Sequence, residues 1–600
     1  MKFLSKFVTI TALLIIFFLP QKAHAASNFN TDYHITYTID QSGMAHALVN
    51  GTLSNTTSQY YASSYKMQLG FTNISNVQAA DAGGAITPQV TKSTDGYEIG
   101  LNFNQKAVGL GSQQQFIITF DTPTLARHYG KIWEIDVPGI SNPAEFNNFV
   151  VQLKTPPTFG QPTYIKPKQA SNALIFDKQT LGKSGISIAF GDKQIYKFQL
   201  AYHIQNPNLY PITTEIALPP STNYQDVSIT DLDPAPTNVV EDKDGNWLAQ
   251  YHLTSAQKLD VMARGNAVIH LTPKQDPLSP DQLKVYLKET KYWEVKNNTI
   301  REVSDQLRTP QAIYQYVQNK LHYNFAKVAK DDKRLGALGA MQNPNQAVCR
   351  EFTDLFIALA RAGGIPAREV DGYAYTQNAR QKPIYDEKDI LHVWPEYYDT
   401  DKKTWVMVDP TWGSTTGGVD YFDTLDFDHF AFAIKGMDSV YPIPAGGYKY
   451  SSNPSSKDVD VTFTTETSPD TKPTFESEST IPDVAIAGLP ISGKIQIRNT
   501  GSSYIPSQFL YLSSKTFFPS EQVMTIAGIP PFGTLDVPVK FAATNPLTNT
   551  QGDYTIRVAG NSTVKHLQSK LFFLTPMGGG IVGGIFVLLI IMLVLRWQRK

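Results

Sequence analysis

With a single cysteine in 600 residues, the chain cannot form an intramolecular disulfide, a thiolate zinc site or an iron–sulfur cluster of its own. Charge of one sign is also missing. The 52 basic residues nearly cancel 53 acidic ones, for a net charge of -1, which excludes an electrostatic nucleic-acid binder. No HExxH motif occurs and the 11 histidines lack ligand spacing, so no metal and no cofactor is expected. Apolar material is plentiful: 42% of residues are hydrophobic, with 32 Phe and 30 Tyr. Such a composition supports packed cores rather than disorder, and the length alone suggests roughly four domains.

Long apolar runs lie at the two ends. Lys2 and Lys6 precede Phe7 to Leu19, and Ala23-His24-Ala25 offers a small-residue cleavage site, so residues 1–25 read as a secretory signal. Met577 to Leu595 carries no charge and is followed by Arg596-Trp597-Gln598-Arg599-Lys600. At 1.5 Å per residue such a run crosses a hydrocarbon core of ~30 Å. Residues 577–595 are therefore expected to form one transmembrane helix, with 596–600 as a cytoplasmic tail and the bulk of the chain outside the cell membrane. A large extracellular chain without paired cysteines points to a bacterial surface.

Between the ends the hydrophobic period defines the expected fold. Ile35, Tyr37 and Ile39 alternate with Thr36 and Thr38, and Ile186, Ile188 and Phe190 with Ser187 and Ala189. That period of two makes 26–200 an N-terminal β domain and 201–289 a second β region, both sandwich-like. Residues 241–246 read as a hairpin turn rather than a calcium loop. Near residue 300 the period becomes helical: Thr309-Pro310 looks like an N-cap and first turn, with Ile313, Tyr314, Val317 and Leu321 on one face. Helices followed by strands give an α+β core over 290–445. Ser and Thr fill 14 of the 30 positions 451–480, so 446–480 reads as a linker. Alternation then returns, and 481–576 is expected to be an immunoglobulin-like β-sandwich.

The α+β core holds the chemistry. Phe352, Leu355, Phe356 and Leu359 line one face of a helix stopped by Gly363-Gly364, which puts Cys349 in its first turn. Helix N-termini favour a thiolate over a thiol, and Arg350 adds positive charge. A strand around His392 and one ending at Asp409 flank the turn Asp399-Thr400-Asp401-Lys402. If Tyr398 pairs with Lys403 across a four-residue loop, His392 lies directly opposite Asp409, with Cβ atoms ~5 Å apart. A five-residue loop would put the two on opposite faces. Asp409 could then orient the imidazole while His392 takes the Cys349 proton, as in a nucleophilic triad. Taken singly, each residue also has a structural reading: a core thiol, a strand histidine, an aspartate in a turn.

These same residues carry a family resemblance. Cys349, Leu355-Phe356, Ala360-Arg361-Ala362, Gly364-Ile365-Pro366-Ala367-Arg368, Asp371-Gly372-Tyr373, His392-Val393-Trp394-Pro395-Glu396 and Asp409-Pro410-Thr411 together resemble the transglutaminase-like superfamily over about 310–415. The resemblance implies a papain-like core with Cys349 as nucleophile, His392 as base and acid, and Asp409 as orienter. Ala347 departs from the glycine that many members place two residues before the nucleophile. Candidate oxyanion donors are the Cys349 backbone N–H, Tyr323, Gln342 and Gln346. Asp420, Asp423, Asp426 and Asp428, near His429, read as solvated surface.

The expected activity is thiol-dependent acyl chemistry on amide bonds at the cell surface. Hydrolysis of protein or cell-wall peptides is favoured over glutamine–lysine cross-linking. The contrasting reading is a non-catalytic surface binding protein with a degenerate core. Expected partners are a protein or peptide substrate and the membrane, through the C-terminal helix, with no nucleic acid.

Overall fold

The computed structural model describes residues 28–598 apart from 95, 170, 329–332, 377–381, 385–388, 390, 424, 455, 467–473, 559 and 575. The leader expected at 1–25 lies outside the described residues. The chain separates into two compact units: one runs to His128 and includes Trp133–Phe190, and the other holds Tyr129–Ile132 and everything from Gly191 onward.

Among the described residues, the first unit is built from strands with three short helical segments, Pro143–Glu145, Pro157–Phe159 and Lys178–Leu181. Along Phe29–Ile39 the residues Tyr33, Ile35, Tyr37 and Ile39 all point inward, as their period of two requires. This strand pairs antiparallel with Ala45–Asn55 and parallel with Phe146–Lys154, inside a seven-stranded sheet. Ile118, Phe120, Phe176 and Ile188 complete the core.

The second unit opens on one continuous strand, Gln194–Gln205, paired with Lys258–Ile269 on one side and Val459–Phe463 on the other. The boundary expected at 200/201 falls inside this strand. The segment 446–480 is likewise not a linker throughout. Val459 is buried in the pairing just described, and Phe475–Ser479 pairs with Ile491–Asn499. A Ser/Thr-rich composition hid the five-residue alternation Val459, Val461, Phe463. Residues from Phe475 to Lys570 form a three-stranded and a five-stranded sheet that share a core of Ile495, Ile497, Leu510, Tyr554 and Ile556. The turn at 241–246 closes a hairpin as read, with Glu241 paired to Trp247. The segment 577–595 falls within a helix, Pro576–Trp597. Among the described residues, no helix is long and apolar enough to cross a membrane.

The α+β core lies within this unit. Helix α1 (Asn298–Leu307) leads into α2 (Pro310–Lys320), whose Thr309 cap accepts a hydrogen bond from the Ala312 N–H. Helix α3 (Cys349–Ala362) is followed by β1 (Ala367–Ala374), β2 (Leu391–Asp399), β3 (Thr404–Met407), the short α4 (Pro410–Thr415) and β4 (His429–Lys435). The strands form an antiparallel sheet in the order β3-β2-β1-β4. Phe352, Leu355, Phe356 and Leu359 of α3 share one core with Ile313 and Val317 of α2 and with Val370 and Trp394 of the sheet.

The β2–β3 turn has four residues, as expected, but the closing pair is Asp399–Thr404 rather than Tyr398–Lys403. Lys403 takes a left-handed φ of 53°, and the Asp399 carboxylate accepts from the N–H groups of Asp401 and Lys402. Those local bonds carry the turn one residue further. The pairing therefore slides by two, which keeps every residue on its face. It also ends at Met407, so Asp409 is not a cross-strand partner of His392.

Candidate active site

Cys349 is the first residue of α3, where the sequence puts it. The preceding Val348 has no side-chain oxygen with which to cap the helix, so only the Glu351 half of a capping box exists. The Glu351 carboxylate accepts from the Val348 N–H at 2.9 Å and from the Leu335 N–H at 3.0 Å. Lys327 lies 2.9 Å from the same carboxylate and also donates to the Gln346 carbonyl at 3.2 Å. Arg334 ties Asp354 of α3 to Glu369 of β1, and Trp293 donates to Asp354 at 2.9 Å. These buried bonds fix the start of α3 against the sheet. One turn beyond Cys349, Thr353 donates to the Val393 carbonyl at 3.3 Å. The Val393 N–H borders the Cys349 sulfur. The thiol thus meets β2 at the residue next to His392.

His392 shares its face of β2 with Trp394, and Trp394 packs in the core of α3. Its Nε2 is 2.9 Å from Oδ2 of Asp409, while Nδ1 is buried with no hydrogen-bond partner among the described residues. Asp409 is the N-cap of α4: its Oδ1 accepts from the N–H groups of Thr411 at 2.9 Å and Trp412 at 3.0 Å. The helix that Pro410 begins therefore brings the carboxylate to the imidazole, where the expectation had relied on strand pairing. Trp412 stacks on His392 with ring centroids 5.1 Å apart.

A second histidine, which the sequence reading left aside, completes the cluster. His429 is the first residue of β4 and lies opposite Ala374, while His392 lies opposite Gly372, two residues earlier on the same face of β1. Gly372 makes room for this arrangement, since a Cβ there would stand 2.2 Å from the Phe430 carbonyl oxygen and 2.7 Å from the Trp394 ring. His429 Nε2 is 3.5 Å from Oδ2 of Asp409, and its Nδ1 is 2.7 Å from Oδ1 of Asp426. Asp426 and Asp428 are buried, which corrects their reading as solvated surface, and His429 is buried with them. The signal available in the sequence was a histidine opening the run Phe430-Ala431-Phe432-Ala433-Ile434, a strand apolar on both faces.

Burial sets the electrostatics. It pushes the Cys349 thiol well above its usual range, against the pull of Arg350 and the Val393 N–H, with Glu351 and Asp409 adding to the rise. The thiolate expected from the helix terminus alone is therefore not the resting form. Burial also lowers His392, more than Asp409 raises it. For Asp409, burial works against charge, but His392 and then His429 hold the carboxyl far below the usual range. Because His392 is neutral near pH 7, the resident positive charge facing Asp409 is that of His429. Burial opposes that charge as well, but Asp426 and Asp409 outweigh it and raise His429 to about 9.

His392, Asp409 and His429 bring one donor atom each within 4.8 Å of one another. His392 is hydrogen-bonded to Asp409, while His429 Nε2 lies at ion-pair distance from the same carboxylate with no hydrogen-bond partner among the described residues, so Asp409 is flanked by two imidazoles.

Residues 294–410 match the model of the transglutaminase-like superfamily. The chain carries a transglutaminase-like domain. No curated protein matches the sequence. Among solved structures, the chain is similar to a candidate cysteine protease from Cytophaga hutchinsonii, at 17% identity over 46% of this chain and 98% of that one, with a TM-score of 0.28. It is also similar to red sea bream transglutaminase, at 11% identity over 62% and 80% of the two chains, TM-score 0.20. In the transglutaminase-like domain Ala347 is extended, with φ -90° and ψ 140°, a geometry open to any residue, so no glycine is required there. The expected oxyanion side chains are otherwise engaged or displaced. Tyr323 donates to the Ile384 carbonyl at 3.4 Å, and Gln346, which accepts from Asn324 at 3.2 Å, is exposed, as is Gln342.

Proposed function

We propose that the transglutaminase-like domain performs thiol acyl transfer on amide bonds, with Cys349 as nucleophile, His392 as base and then acid, and Asp409 as orienter. One observation carries this reading. Asp409 fixes His392 through Nε2 and leaves Nδ1 without a partner among the described residues, on the sheet face packed against the helix that begins with Cys349. Asp409 selects the tautomer with its proton on Nε2, so the Nδ1 lone pair is the acceptor for the thiol proton. As the sulfur bonds to the carbonyl carbon, its proton passes to Nδ1, and the new imidazolium is stabilised by Asp409. The same proton then goes to the departing amine as the C–N bond breaks, leaving an acyl-thioester on Cys349. Water, deprotonated by His392, releases the acid. The Cys349 backbone N–H, unpaired within the first turn of α3, is the donor suited to the developing oxyanion.

The substrate is a protein or peptide at the cell surface, and the chain is held there by the apolar segment 577–595. Ile585, Phe586, Leu588 and Leu593 of that segment are exposed, a surface suited to lipid rather than water.

The test uses p-nitrophenyl acetate as a probe that needs no knowledge of the natural substrate. A burst of one nitrophenolate per chain is expected, with an acetyl group on Cys349, the only cysteine. Cys349→Ala abolishes it, and His392→Ala slows it by about 100-fold or more. Acylation elsewhere, or a burst indifferent to His392, would refute the triad. A glutamine peptide supplied with a labelled amine then separates hydrolysis from cross-linking.

A further inference from the structure

We propose that His429 is a positioning residue: fixed between Asp426 and Asp409, it serves as the resident imidazolium of a buried chain, Asp426–His429–Asp409–His392, and thereby sets the pH range in which His392 acts as a base. This rests on the triad reading above and adds to it a residue that does not touch the reacting atoms.

The contacts of Asp409 lead to this assignment. Oδ1 is taken by two backbone N–H groups of α4. Oδ2 faces two imidazoles at once, Nε2 of His392 at 2.9 Å and Nε2 of His429 at 3.5 Å. Only the first is a hydrogen bond; the second is an ion-pair contact, and among the described residues His429 Nε2 has no hydrogen-bond partner. The other nitrogen of His429, Nδ1, faces a second carboxylate oxygen, on Asp426, at 2.7 Å. An imidazole buried between two carboxylates, hydrogen-bonded to one and within ion-pair distance of the other, is favoured as the imidazolium. His392 differs: Asp409 is the one carboxylate it is hydrogen-bonded to, and its Nδ1, with no hydrogen-bond partner among the described residues, keeps its lone pair. Two histidines with ring centroids 5.7 Å apart are thus held in different states by one shared carboxylate.

Among the described residues, the charged groups around His429 come from three elements. Asp426 and Asp428 come from the turn before β4, and Asp428 is paired with Lys382 at 3.0 Å. Asp409 comes from α4 and His392 from β2, and the Trp394 and Trp412 rings enclose the imidazole at 4.8 and 4.5 Å between centroids. The field agrees with the geometry. His429 rises to about 9, while His392 is lowered first by burial and, among nearby charges, by His429. Removing the cation should therefore raise both the imidazole of His392 and the thiol of Cys349.

The experiment is the pH dependence of the nitrophenyl acetate burst in the full chain, in wild type, His429→Gln and Asp426→Asn. His429→Gln is expected to move the two limbs of the profile upward by about one pH unit, the scale for loss of a charge within 4–6 Å, and Asp426→Asn, which removes an anion together with the anchor of the cation, by less. A burst that slows without any movement of the limbs would mean that His429 only packs, and would overturn the proposal. In both cases Cys349 and His392 must remain essential. If they are not, the triad reading fails instead, so the two failures are distinguishable. Should the variants not fold, NMR of histidine-labelled wild type decides. One buried imidazolium that titrates near pH 9 beside one neutral Nε2–H ring is expected. Two neutral buried rings would overturn it.

Discussion

Replacing Asp409 by asparagine tests the site most sharply, because the two carboxylate oxygens do separate jobs. Oδ1 accepts from the fixed N–H groups of Thr411 and Trp412. An asparagine must place its oxygen there, and asparagine caps helices as well as aspartate does, so α4 keeps its start. The amide nitrogen is then forced to the Oδ2 position, facing Nε2 of both histidines. Two donors cannot face each other, so His392 must release its Nε2 proton and carry one on Nδ1 instead, the atom that has to accept from the thiol. The equivalent exchange in a Ser-His-Asp triad costs about 10⁴ in turnover through the same tautomer reversal. Here Asp409→Asn should slow acylation of Cys349 by about 10³-fold or more, close to 4 kcal/mol of barrier. Stopped-flow measurement of the burst gives the rate, and circular dichroism with a thermal melt verifies the fold. A folded variant that acylates at the wild-type rate would refute the assignment of Nδ1 as proton acceptor.

Other consequences concern stability. The folded-state pKa of His429, raised to about 9, lies above its unfolded value. Its contribution of roughly 3 kcal/mol is therefore complete below pH ~6.5 and is lost as pH rises through about 9. His392 is lowered, so its contribution has the opposite sense: present above pH ~6.5 and lost on acidification. Urea unfolding across pH should show both slopes, with the alkaline one flattened in His429→Gln. Gly372→Ala forces a Cβ to 2.2 Å from the Phe430 carbonyl and against Trp394, so it should cost about 1–3 kcal/mol in denaturant unfolding and impair the burst. Glu351→Gln leaves the buried Lys327 without its counter-charge and should destabilise by about 3–5 kcal/mol; an unchanged melting temperature would show that this pair does not hold the start of α3.

Local periodicity made much of the core legible. Phe352, Leu355, Phe356 and Leu359 specify α3 because a 3.6-residue repeat admits one buried face, and the same repeat puts Cys349 at the tip. The β2–β3 turn length was readable, but its closing pair was not, since that depends on the left-handed Lys403 and the Asp399 bonds. Asp409 approaches His392 by capping a helix, a route that a strand-pairing argument does not contain. His429 was obscure for a different reason: Asp426-Phe427-Asp428 reads as polar surface until the fold buries it, and only tertiary packing shows that a carboxylate of another element serves both histidines. The protonation of the thiol is not legible in the sequence, where helix-terminus and Arg350 effects are visible and desolvation is not.

That desolvation bears on how the site would work. Cys349 is completely buried, and the groups nearest its charge are divided. Arg350 and the Val393 N–H favour the thiolate, while Glu351 and Asp409 oppose it. Glu351 cannot be dispensed with, because it holds the Val348 N–H and Lys327 at the helix start. Burial keeps the proton on the sulfur, and the same carboxylate that fixes its position adds to that effect. A resting thiolate–imidazolium pair is disfavoured here, and the proton should leave sulfur only as a carbonyl carbon takes up the electron pair. At that moment His392 becomes a second imidazolium on Asp409, beside His429. The carboxylate is prepared for this by the two N–H groups of α4, which hold its other oxygen throughout. On this argument the rate should follow a proton in flight rather than a pre-formed ion pair, and acylation in heavy water should show a normal solvent isotope effect. An absent isotope effect, with acylation shown to be rate-limiting, would mean that the ion pair exists before the substrate arrives.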